Sequence, residues 1–138
     1  MKTEVIYKTL SPTWDQTLIF ESVEIHGNPE EIQKNPPIIT IEIFDKDAFG
    51  EPDYLGRCTT KPIVINERNK LSTKLEWIEL KRDKEDAGEL LACFELYLLD
   101  DNGENSLLPS LPPKIGAIYR LPNEIRPQLH RTVIEVNI

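Results

Sequence analysis

Residues 38–44 place Ile39, Ile41 and Ile43 at alternate positions, with Thr40 and Glu42 between them. This is the period of a half-buried strand; a helix with its period of 3.6 would scatter the three isoleucines around its surface. The same alternation returns in short runs along the chain. Residues 3–10 alternate and are rich in β-branched and aromatic side chains, and residues 14–20 put Trp14, Gln16, Leu18 and Phe20 on one face. Ser11 and Pro12 break the two runs, so they read as a hairpin with the proline fixing its turn. Residues 54–60 and 75–80 form two more short strands, and residues 89–99 align Leu90, Ala92, Phe94, Leu96 and Leu98.

Between the strands lie turn-forming residues. The chain has eleven prolines against six glycines, a balance that suits loops between short strands better than long helices. Residues 22–37 read as a long loop with one helical turn around 29–34, residues 61–74 as a connection, and residues 81–88 as a charged, hairpin-like turn. Six short strands without a long helix predict an all-β antiparallel sandwich. Beyond Asp100 the character changes to Asn, Gly, Ser and Pro. The expected organisation is a domain over residues 1–99, a linker over 100–114 and a C-terminal extension over 115–138. Within the extension, residues 115–121 and 132–138 read as strands and 123–129 as a helical turn.

A chain of 138 residues with 39% hydrophobic content fits one domain with a packed core. No apolar run approaches the roughly 20 residues of a membrane-spanning helix, and the N-terminal residues lack the apolar stretch of a secretion signal. Cys58 and Cys93 both fall in strands, which fits buried thiols in a reducing cytosol rather than a disulfide framework. The net charge of −8 argues against nucleic acid as a partner. Most of the acid lies in residues 1–99, where 12 Lys and Arg face 19 Asp and Glu, a net of −7. An acidic protein that meets an anionic lipid surface needs a cation between them.

The sharpest constellation is FDKDAFGEPDYLG, with Asp45, Asp47 and Asp53 directly after the isoleucine strand. Calcium is a hard cation that takes six to eight oxygens, largely from carboxylates. Asp45 and Asp47, two apart on a chain leaving a strand, point the same way, and a fold at Gly50 returns Asp53 towards them. The bland alternative is a solvated acidic loop, which most D-x-D pairs are. The spacing is not that of an EF-hand. Phe49 sits beside Gly50 at the expected tip, where it either enters a membrane or packs on a neighbouring loop. Lys2 and Lys8 are separated by Glu4 and read as a solvated face; Trp14 and Trp77 read as core and hairpin packing. His26 suits calcium poorly, and His130 is remote in sequence. No nucleophile triad, phosphate-binding glycine loop or zinc spacing is present, so neither an enzyme nor a small-molecule substrate is expected.

The run KTLSPTWDQTLIF followed by a strand and FDKDAFGEPDYLG resembles a C2 domain. TEVIYKTLSPTWDQTLIF, NPPIITIEIFDKDAFGEPDYLGRC and GELLACFEL together resemble a central C2 domain of the ferlin family. The tail PPKIGAIYRLPNEIRPQLHRTVIEV is similar to the segment after it in that family. The resemblance implies a C2-type β-sandwich whose third calcium loop carries Asp45, Asp47 and Asp53, with Ca2+ as its cofactor. It implies docking on anionic phospholipid membranes at the cytosolic face of the plasma membrane or of vesicles, in vesicle fusion, membrane repair or trafficking, beside other ferlin domains. In that pattern two strands and a first calcium loop precede residue 3, so the sandwich is expected to be incomplete at its N-terminal side. The alternative is a calcium-independent structural or protein-interaction C2 domain.

Overall fold

A computed structural model describes residues 1–65, 74–100, 102 and 108–127. Its elements in chain order are β1 (Gln16–Thr17), α1 (Pro29–Lys34), β2 (Ile39–Asp45), β3 (Asp53–Thr60), β4 (Ile63–Ile65), β5 (Glu76–Arg82), β6 (Glu85–Ala92), β7 (Glu95–Tyr97), β8 (Lys114–Ile115) and β9 (Ile118–Arg120). The protein is of the all-β class, with strands in sheets ordered β2-β3-β5-β6, β1-β9-β8 and β4-β7. The first two sheets are antiparallel throughout. The third is a parallel pair with Ile63 facing Glu95, which local alternation could not reveal. No helix among the described residues is long and apolar enough to cross a membrane.

The isoleucine alternation builds the four-stranded sheet as expected. Ile39, Ile41 and Ile43 are half-buried while Thr40 and Glu42 are exposed, and the isoleucines' partners on β3 are Thr60, Cys58 and Gly56. Among the described residues Ile32, Cys58, Pro62, Val64, Ile65 and Leu80 are buried apolar side chains, and no large side chain is fully enclosed. Gly56 is required by close packing: a Cβ there would stand 2.9 Å from the Ala87 Cβ and 3.2 Å from the Lys81 carbonyl oxygen. The hairpin between β5 and β6 turns on two residues, Asp83 (φ 48°) and Lys84 (φ 74°). Two positive φ values give the twist that right-handed strands accept in a two-residue loop. The single helical turn also forms where expected. Asn28 caps it: its Oδ1 accepts from the Glu31 amide, while the Glu31 carboxylate accepts from the Asn28 amide.

Several expectations are corrected, among them the connection expected over 61–74, which contains β4. Residues 3–10 form no strand, and of residues 14–20 only Gln16 and Thr17 pair, with a strand more than a hundred residues away rather than with residues 3–10. Alternation marks a segment able to enter a sheet, but a ladder also needs a partner edge. Residues 89–99 do not run as one strand but divide into β6 and β7. Residues 115–121 likewise divide into β8 and β9 around Gly116, whose φ of 62° makes the turn. Trp77 stands on the exposed face of β5 opposite Leu91 and is 65% exposed, whereas Trp14 is half-buried. The strand expected over 132–138 and His130 lie outside the described residues.

Candidate functional site

The site begins with the ladder between β2 and β3. Its register shifts between Ile43 and Phe44: Ile43 faces Gly56, but Phe44 faces Tyr54, leaving Leu55 as the extra residue of a bulge. A bulge re-aims the side chains beyond it. Here it aligns Phe44 with Tyr54, whose rings meet edge-on at 5.7 Å and 63°, and it closes the ladder with Asp45 directly opposite Asp53. Directly opposed residues share a sheet face and hold their Cβ atoms about 4.5–5.5 Å apart, where like charges are destabilising. Both aspartates are exposed.

Residues 46–52 complete the loop, with Gly50 at φ 107°. The loop with its two flanking aspartates carries Asp45, Asp47, Glu51 and Asp53 against Lys46 alone, a net of −3. Asp45 and Asp53 are brought together by register; no group of three or more His, Cys, Asp or Glu side chains is placed to hold a metal among the described residues. The facing pair supplies the oxygen donors that a hard cation accepts, but only part of the six to eight that calcium takes. Phe49 is 94% exposed at the tip.

The β5–β6 turn lies at this same sheet end. Arg57 of β3 faces Lys81, and β5 leaves the sheet one residue later, towards the Asp53 end of β3. Its tip alternates Arg82, Asp83, Lys84 and Glu85 and adds no net charge. Lys81 itself is neutralised: it pairs with Glu79 at 3.3 Å and with Asp86. The hydrogen bond from Lys81 lowers the Asp86 carboxyl below its ordinary range, and hydrogen bonds to Asp86 and Glu79 raise the Lys81 ammonium. The neighbourhood of this turn could not be read from sequence, because it depends on which strands become neighbours. Burial pushes both cysteine thiols above their ordinary value, helped at Cys93 by Glu95 and Glu76.

Comparison with known proteins adds the family. Residues 1–80 match the family model of the C2 domain. The chain is similar to "Myoferlin" of Mus musculus, 41% identical over 136 residues, and to "Myoferlin" of Homo sapiens, 40% identical over 136 residues. It is also similar to "Fer-1-like protein 4" of Mus musculus, 34% identical over 145 residues. Each alignment covers 97% of this chain but only 6% or 7% of the relative.

Proposed function

The chain belongs to the C2-domain family and is a C2 domain of ferlin type, and from that premise we propose that it is a calcium-responsive module that docks on anionic phospholipid membranes. The observation that carries this reading is the opposition of Asp45 and Asp53 at the base of a net-negative loop with an exposed phenylalanine at its tip. Without a cation the loop repels anionic headgroups. A divalent cation held between the aspartates offsets that repulsion and takes further oxygens from lipid phosphate. Asp47 is proposed as a third contributor. Phe49 then adds a shallow apolar insertion. The proposed setting is the cytosolic face of the plasma membrane or of vesicles, in fusion, repair or trafficking, with other ferlin domains as neighbours. A binding role, not catalysis, is the character of C2 domains.

A second reading, a calcium-independent structural or protein-interaction domain, is favoured by one observation: the described carboxylates do not gather into a three-ligand group. Sedimentation with phosphatidylserine/phosphatidylcholine vesicles, with calcium or with chelator, separates the two. Calcium-dependent binding that is abolished by Asp45→Asn with Asp53→Asn, and weakened several-fold by Phe49→Ala, supports docking. Burying a phenylalanine is worth about 1.5–3 kcal/mol, and partial insertion a fraction of that. With few carboxylates gathered, calcium alone should bind at roughly 10⁻⁴ to 10⁻³ M. Binding to vesicles that is indifferent to calcium, or unchanged in the double variant, leaves the second reading.

A further inference from the structure

Residues 113–126 lie beyond the stretch that matches the C2 family model, yet they are tied to residues 4–17 by a set of bonds that no sequence feature announces. Strand β9 pairs antiparallel with β1, Gln16 facing Arg120 and Thr17 facing Tyr119. The Thr17 hydroxyl donates to the Arg120 carbonyl at 2.9 Å. The Arg120 Nη1 donates to Glu4 Oε1 at 2.8 Å and to the Trp14 carbonyl at 3.3 Å, with both charged side chains more than two-thirds buried. Arg126 reaches back in the same way: its Nη1 donates to Asp15 Oδ2 at 2.6 Å and its Nη2 to the Leu121 carbonyl at 3.2 Å.

Asp15 is the pivot. Its φ of 50° puts a non-glycine residue in the left-handed region, where few side chains are found unless the surroundings hold them. That conformation presents the Asp15 carbonyl to the Leu121 amide at 3.3 Å, while its carboxylate holds Arg126. On the other side, β9 is fastened to β8, with the Lys114 ammonium 4.9 Å from the centre of the Tyr119 ring and the Arg120 amide on the Pro113 carbonyl at 2.6 Å.

We propose that residues 113–126 form an intramolecular strap, a strand donor with two arginine latches, that occupies the edge of β1 and fixes residues 4–17 in place. The strap is part of the same folding unit as those residues and not a tail hanging from it. Its release would open a strand edge beside the exposed Leu18 and Phe20, a surface that invites another strand. Two guanidinium–carboxylate pairs make the strap sensitive to charge at four named positions.

The test is amide hydrogen exchange on the full chain. Arg120→Glu and Glu4→Arg are each expected to speed exchange at Thr17 and Leu121 at least ten-fold while Ile41 and Cys58 in the four-stranded sheet keep their protection. The double variant with both changes restores the opposite charges and should recover most of the loss. Unchanged exchange at Thr17 and Leu121 in both single variants overturns the strap, as does failure of the charge swap to recover protection that the singles lost selectively. If a single variant loses protection everywhere, a second measurement decides. In a Thr17→Cys, Tyr119→Cys chain, residues that face each other in the ladder, oxidation should join the new thiols, whereas Thr17→Cys with Lys114→Cys should not. Equal cross-linking of the two pairs overturns the proposal.

Discussion

Two regions of this molecule carry similar alternation in sequence and fold by different means. The sheet β2-β3-β5-β6 turns its alternation into long ladders, seven facing pairs between β2 and β3 and six between β5 and β6. Its half-buried isoleucines, Cys58 and Leu80 lie on or beside those ladders. Residues 3–20 alternate as clearly but form two ladder pairs, leaving Tyr7 at 69% and Phe20 at 63% exposure. That segment is held instead by arginines and carboxylates contributed across the chain. The lesson is that apolar periodicity gives a segment the capacity to pair, while its stability comes from the partner that covers it.

Truncating a side chain in each region is the strongest way to challenge the contrast. Leu80→Ala should destabilise the fold by about 2–4 kcal/mol, the loss expected for a buried leucine that leaves a cavity. Phe20→Ala, already exposed, should change it by no more than about 0.5 kcal/mol. Urea unfolding of both variants checks this, and equal losses would show that residues 14–20 are packed as tightly as the sheet.

Gly56 probes the same contrast from the side of close approach. Gly56→Ala must push against the Ala87 methyl and a Lys81 backbone oxygen, neither of which can swing away. A loss of about 1–3 kcal/mol is expected from such overpacking. A neutral result in thermal unfolding would mean that β3 and β5 part easily.

The helical turn is expected to respond less. Asn28→Ala removes the side-chain half of the reciprocal cap and should cost about 1 kcal/mol, with Asn28→Ser recovering most of it. Far-ultraviolet dichroism with urea titration reads both, and an unchanged midpoint would place the stability of α1 in the burial of Ile32 alone.

The smallest effect belongs to the parallel pair and appears only in alkali. Burial, with the nearby Glu95 carboxylate, pushes the Tyr97 hydroxyl from 10.0 up to about 12. The unfolded chain therefore ionises first, and stability present below about pH 10 declines as pH rises towards about 12. Tyr97→Phe should flatten that portion of the stability profile; a profile with the same slope in the variant would trace alkaline sensitivity to other groups.

Local pattern was enough to dictate the all-β class, the strands from Ile39 to Thr60, the helical turn at Pro29–Lys34 and the charged turn between β5 and β6. Each of these is written in local terms: a two-residue period, a capping asparagine before proline, a short polar break between apolar runs. The same pattern singled out Asp45, Asp47, Asp53 and Phe49, because carboxylates and an aromatic ring around a glycine are visible without coordinates. Register, by contrast, emerged only from the assembled fold. The bulge at Leu55 set Asp45 against Asp53, the close approach at Gly56 fixed β5 beside β3, and the pairing of Gln16 and Thr17 with β9 replaced the expected hairpin. These are relations between segments up to a hundred residues apart. Hydrogen-bond partners at that distance are chosen by which edges remain open once the longer ladders have formed, and no local period encodes that choice.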